Sequence, residues 1–213
     1  AVSPNNAVED ATSGPCPKGN YCVNGTSYPL GCPAGTYNPS TGRDDCDPCP
    51  AGYFCPENST DYLVNPCPEG HYCPVGTGAP TDFPCEAGYY NNYTARQSMI
   101  DCIPCEPGMY CDTPGLAYPA GPCAGGWYCA RGAWNSNPVH YDNDTVDPTC
   151  YCGRNDTGGM CLPGQFCPVG SSQPLMCTPG SYCESSGLAA VTAPCTAGYY
   201  CTLGALRSDP QDD

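Results

Sequence analysis

The chain has 213 residues, a net charge of −15 and only six Lys and Arg, which excludes the basic face that nucleic-acid binding needs. Leu, Ile, Val and Phe together number 22, too few for an ordinary apolar core, and 53 Gly and Pro would by themselves point to disorder. Twenty-two cysteines, evenly spread, reverse that expectation: they are the signature of a disulfide scaffold made in an oxidising compartment.

Residues 1–15 carry no cysteine and read as a tail or an assembly segment. From Cys16 onward the chain repeats one phrase, Cys-x-x-Gly-x-aromatic-Cys, whose clearest copy is Cys49-Pro50-Ala51-Gly52-Tyr53-Phe54-Cys55. Copies begin at Cys16, Cys49, Cys67, Cys105, Cys123, Cys161, Cys177 and Cys195, and two more, at Cys32 and Cys85, place Asn38 and Asn91 where the second cysteine would stand. The recurrent glycine predicts a tight turn with positive φ. The aromatic at the sixth place is expected to pack on a neighbouring disulfide, and the variable fifth place to face water. An exposed aromatic ladder for carbohydrate is the functional alternative for so many aromatics.

The spacing divides the chain further. Residues 16–31 form a partial repeat. Module 1 (32–84) steps through Cys32, Cys46, Cys49, Cys55, Cys67 and Cys73, and module 2 (85–149) through Cys85, Cys102, Cys105, Cys111, Cys123 and Cys129, an internal period of 53 residues. Module 2 ends in a cysteine-free insertion, 130–149, and residues 150–213 form a degenerate third module and a C-terminal tail. Pro and Gly at this density forbid long helices, and no apolar 3.6-residue period survives. The expected fold is therefore small and disulfide-rich: an elongated rod of tandem cysteine-rich repeats with short β-ribbons and turns and almost no helix, each repeat touching only its neighbours.

The six-cysteine units, with a Cys-x-x-Gly-x-Tyr start and a long loop closing on Cys46-Asp47-Pro48-Cys49, resemble the cysteine-rich repeats of ephrin receptors. They are also similar to tumour-necrosis-factor-receptor modules, and arrays of this type occur in surface proteins of protists and algae. The receptor pairing, if carried over, joins Cys32 to Cys46, Cys49 to Cys67 and Cys55 to Cys73, and in module 2 Cys85 to Cys102, Cys105 to Cys123 and Cys111 to Cys129. The alternative joins each short phrase to itself, as in Cys49 with Cys55. Spacing alone does not choose between them.

Five Asn-x-Ser/Thr sequons, at Asn24, Asn58, Asn92, Asn143 and Asn155, mark surface positions for N-linked glycans and agree with an extracellular or cell-surface address. Asn92 is the riskiest, because Tyr93 follows it. No run approaches the ~20 apolar residues of a membrane span. The chain begins at Ala1 without an initiator Met, which a removed signal peptide or excision from a longer polypeptide would explain.

Chemistry is sparse. Only His71 and His140 are present, which argues against zinc at the Cys46/Cys49 and Cys102/Cys105 pairs and against a Ser-His-Asp or Cys-His enzyme. The neighbouring carboxylates Asp44 and Asp45 read as solvated charges rather than acid/base partners. Asp142, Asp144 and Asp147 alternate as in a calcium loop and are the candidate metal ligands, although Pro148 and the lack of a distal Glu depart from the EF-hand pattern; no other cofactor is expected. The functional expectation is an extracellular structural glycoprotein, the repeating shaft of a fibre, stalk or surface coat, with copies of itself end to end as partners. A receptor-like ectodomain is the alternative, using the insertion and the aromatics Trp127, Trp134 and Tyr141 as anchors.

Overall fold

The structure, a computed structural model, describes residues 13–138 and 157–209. They fold into two compact units. The first comprises the described residues up to Cys67 with Cys73–Asp82 and Ala95–Gln97; the second comprises Pro68–Tyr72, Phe83–Thr94 and the described residues from Ser98 onward. Both are small, disulfide-rich tandem-repeat structures.

In the first unit, β1 (Asn20–Tyr21) pairs with β2 (Leu30–Gly31) and β3 (Thr36–Tyr37) with β4 (Asp47–Pro48), while Tyr53 bridges Pro66. In the second unit, His71 bridges Pro84, and β5 (Tyr89–Tyr90) pairs with β6 (Ile103–Pro104), β7 (Met109–Tyr110) with β8 (Gly121–Pro122), and β9 (Trp127–Cys129) with β10 (Gly158–Met160). Two last ribbons join β11 (Gln165–Phe166) to β12 (Leu175–Met176) and β13 (Ser181–Tyr182) to β14 (Ala193–Pro194). All of these pairs are antiparallel. The one helical element among the described residues is a 3-10 turn at Met99–Asp101, closed by the Ser98 amide donating to the Asp101 carboxylate at 3.0 Å.

One rule generates these ribbons. The fifth residue of each phrase lies opposite the residue that precedes the next phrase's first cysteine, and six of the nine opposite residues are proline. Proline is tolerated there because the ladder bonds fall to either side of it. In the third phrase, for example, the Cys67 amide donates to the Gly52 carbonyl at 2.8 Å, and the Phe54 amide donates to the Asn65 carbonyl at 3.1 Å. The fifth place, expected to face water, is instead half-buried in every phrase but the last, because it sits within the ribbon.

Successive phrases are joined by four backbone hydrogen bonds. Between the phrases at Cys49 and Cys67, the Gly52 amide donates to the Cys73 carbonyl (2.8 Å) and the Cys67 amide to the Gly52 carbonyl (2.8 Å). The Gly76 amide donates to the Cys49 carbonyl (2.8 Å), and the Cys55 amide to the Thr77 carbonyl (3.0 Å). The equivalent four bonds recur between each of the nine successive pairs of phrases. The phrase glycine is thus both donor and acceptor in every junction. It must also be glycine for two steric reasons: Gly52 has φ +88°, and a Cβ there would lie 2.7 Å from the Ala95 carbonyl oxygen, which belongs to the second phrase along.

Candidate functional site

The described residues contain ten disulfides, and the pairing corrects the one the receptor resemblance implies. Cys32–Cys46 and Cys85–Cys102 are as implied. In place of Cys49–Cys67 and Cys55–Cys73, however, Cys49 joins Cys55 and Cys67 joins Cys73; in place of Cys105–Cys123 and Cys111–Cys129, Cys105 joins Cys111 and Cys123 joins Cys129. Cys16–Cys22, Cys161–Cys167, Cys177–Cys183 and Cys195–Cys201 follow the same within-phrase rule. The physical reason is the glycine turn, which returns the chain so that the ends of the phrase are 5.8 Å apart at Cα for Cys49 and Cys55, within bridging reach. Cys150 and Cys152 lie outside the described residues.

The two phrases without a second cysteine explain the two long bridges. Asn38 and Asn91 are completely buried in the place of that cysteine. Asn38 Nδ2 donates to the Asn20 carbonyl and its Oδ1 accepts from the Ser40 amide at 3.0 Å. Asn91 repeats the arrangement, donating to the His71 carbonyl at 3.0 Å and accepting from the Tyr93 amide at 3.1 Å. The side chain therefore ties the turn by hydrogen bonds where other phrases use sulfur. Cys32 and Cys85, left without a partner in their own phrase, reach forward to the extra cysteine of the Cys-x-x-Cys pairs. The signal was in the sequence, as Asn at the seventh place, but its role as a buried anchor was not drawn from it.

The aromatic at the sixth place packs as expected where a cluster can be resolved. Tyr90, 6% exposed, lies against Cys105 and Cys111 of the following phrase, and Tyr110 lies against Cys123 and Cys129. Burial and the nearby Glu106 carboxylate, which accepts from the Tyr90 hydroxyl at 3.2 Å, raise the Tyr90 phenol above its ordinary value. Tyr37 is raised for the same first reason, burial, and then by Asp47. It meets Tyr62 edge-on at 5.1 Å, and Tyr62 meets Tyr53 at 5.0 Å. These aromatics are packed on one another and on sulfur rather than standing as an open ladder.

The charged candidates resolve simply. Arg43 donates to Asp45 at 2.7 Å and to Asp47 at 2.8 Å, bonds that raise its guanidinium above the usual value, while Asp44 is exposed. His71 Nδ1 lies 3.1 Å from the Glu69 carbonyl within its own phrase. Among the described residues, no group of three or more His, Cys, Asp or Glu side chains is placed to hold a metal. The calcium candidates Asp142, Asp144 and Asp147 lie outside the described residues.

The sequons divide into two kinds. Asn24 and Asn58 are exposed. Asn92 is half-buried, with its Oδ1 buried and without a hydrogen-bond partner among the described residues. Asn143 and Asn155 lie outside the described residues. In the insertion, Trp134 is 46% exposed and Tyr141 lies outside the described residues; Trp127, in the phrase that precedes the insertion, packs partly buried against Cys123, Cys129 and Ala133.

No known family model matches the chain, and a search of curated proteins finds no match either. The likeness to ephrin-receptor and tumour-necrosis-factor-receptor repeats therefore rests on the cysteine phrases alone. Twenty paired cysteines place the chain in an oxidising compartment, and no helix among the described residues is long and apolar enough to cross a membrane.

Proposed function

We propose that this chain is an extracellular structural glycoprotein, a repeating shaft unit of a fibre, stalk or surface coat. The observation that supports this is the junction: four equivalent backbone hydrogen bonds join each of nine successive pairs of phrases, whatever residues occupy the variable places. Backbone bonds and buried cystines do not discriminate among ligands. They give a repeat that extends by adding copies of itself, which is what a shaft requires. The polar and acidic surface, with glycans on its exposed sequons, keeps such an array solvated and discourages lateral association. An antibody against the folded chain, used for immunogold labelling of native material in the electron microscope, tests the reading. Label distributed along filaments or a coat is expected; label on isolated particles would reject it.

A second reading, a receptor-like ectodomain of the ephrin-receptor or tumour-necrosis-factor-receptor type, draws on the half-exposed Trp134 in the insertion. It makes the opposite forecast for the same images.

A further inference from the structure

We infer that Met176 is a site of reversible oxidation by hydroperoxides, and that Gln165 receives and orients the oxygen added to its sulfur.

The place that Met176 holds is one where the chain otherwise avoids reactive groups. Opposite the fifth residue of a phrase stand six prolines, one glycine, Gly31, and two methionines, Met160 and Met176. Proline there is chemically inert, whereas methionine brings a polarisable, oxidisable sulfur. Met176 is 46% exposed. That exposure belongs to the place in the ribbon: Pro48 and Pro122, each followed by four or more phrases, are exposed as well.

Two contacts set the Met176 sulfur apart. Its terminal methyl, and not its sulfur, meets the spacer two phrases along, where a Cβ built on Gly204 would stand 2.6 Å from Met176 Cε. Gln165 is its cross-strand partner, and the side-chain amide places Nε2 3.9 Å from Sδ. The amide is held in that sense because its Oε1 accepts from the Leu162 backbone amide at 3.3 Å, which leaves Nε2 as the end that faces the thioether. A thioether is a weak acceptor, and oxidation converts it into a polar sulfoxide. The donor already present therefore suits the oxidised side chain better than the reduced one. An oxygen on Sδ that accepts from Nε2 at about 2.9 Å, with the usual bend at the acceptor, leaves nitrogen and sulfur near their present separation. The ribbon holds the product without rearranging.

The other methionines lack this arrangement. Met160 is 39% exposed, but it stands opposite Trp127, and its sulfur is turned to Gly187, 3.5 Å from the place of a Cβ there. Met109 packs half-buried on the cluster of Tyr90, Cys105 and Cys111, and Met99 is half-buried in the 3-10 turn.

The step balances with a hydroperoxide as the oxidant. A lone pair of Sδ attacks the terminal oxygen; the S–O bond forms as the O–O bond breaks. The proton of the transferred oxygen passes to the departing one, which leaves as water from hydrogen peroxide or as an alcohol from an organic hydroperoxide. Sulfur loses two electrons and the peroxide gains them. The Gln165 N–H stabilises the negative charge that gathers on the transferred oxygen. A methionine sulfoxide reductase restores the thioether.

The test treats the full, disulfide-bonded chain with limiting hydrogen peroxide and follows each methionine by peptide mass mapping over time. Met176 is expected to oxidise faster than Met160, Met109 and Met99. Gln165→Glu keeps the acceptor for the Leu162 amide and removes the donor; it should slow Met176 about threefold or more, the worth of one hydrogen bond, and leave the other three rates unchanged. Because the donor lies on one side of the sulfur, one sulfoxide epimer should predominate, so only one of the two epimer-specific reductases should restore most of the Met176 peptide. Oxidation of Met99, Met109 or Met160 as fast as Met176 would overturn the site. Equal amounts of the two epimers, or an unchanged Met176 rate in Gln165→Glu, would overturn the part given to Gln165.

Discussion

Asn38 and Asn91 show how one residue type substitutes for half a disulfide. Each is fully buried, and each satisfies both ends of its amide on backbone groups, so the buried polar group carries no desolvation penalty left uncompensated. The phrase glycines make a sharper experimental case. Gly52 and Gly180 have nearly the same φ, +88° and +86°, so an alanine at either bears the same conformational cost, roughly 1 kcal/mol or more. Only at Gly52 does the new Cβ run into the Ala95 carbonyl, whereas at Gly180 it meets open space. Gly52→Ala is therefore expected to destabilise clearly more than Gly180→Ala, read as the difference in denaturant midpoint of the oxidised proteins. Equal losses would mean that the carbonyl does not press on the glycine. The left-handed spacer position tolerates what the phrase position does not: Asn58 and Ala95 occupy it at φ +62° and +59°.

The element of this fold is the junction, and its energy is divided differently from what a disulfide scaffold suggests. Eight of the ten bridges close within a single phrase, spanning six residues each, and so do not tie one phrase to the next. In the chain-entropy model such a loop is worth about 2 kcal/mol, against about 3 kcal/mol for the 14-residue and 17-residue loops of Cys32–Cys46 and Cys85–Cys102. Cohesion between phrases comes from the four backbone bonds, each worth ~1 kcal/mol net, and from the aromatic laid on the next cystine. Replacing Cys49 and Cys55 together by serine should accordingly cost about 2 kcal/mol, and replacing Cys32 and Cys46 about 3 kcal/mol, in guanidinium unfolding. Hydrogen exchange should rise in the altered phrase and its immediate neighbours only. A loss of protection spread over every phrase would show that the array unfolds as one cooperative body.

For the whole molecule, the surface decides what the repeats are able to do. Glycans added at Asn24 and Asn58 meet water, whereas at Asn92 the amide oxygen is buried. Expression in a host that glycosylates, followed by peptide mapping before and after amidase treatment, should find Asn24 and Asn58 occupied and Asn92 at distinctly lower occupancy. Full occupancy at all three would place Asn92 on the open surface instead.

The sequence by itself determined that cystine would replace an aliphatic core, because 22 cysteines stand against 22 Leu, Ile, Val and Phe in a chain this rich in Gly and Pro. It also determined the phrase and its turn, since a glycine repeated at one place in ten copies marks a backbone constraint. It left the pairing open, and the family pattern pointed the wrong way for Cys49, Cys55, Cys67 and Cys73. Spacing records only how far apart cysteines lie along the chain, whereas bridging depends on where their Cβ atoms meet in space. The junction was likewise out of reach, because it is made by main-chain groups that leave no mark on side-chain identity, except at the glycine, where a spacer carbonyl from two phrases along leaves no room for a Cβ.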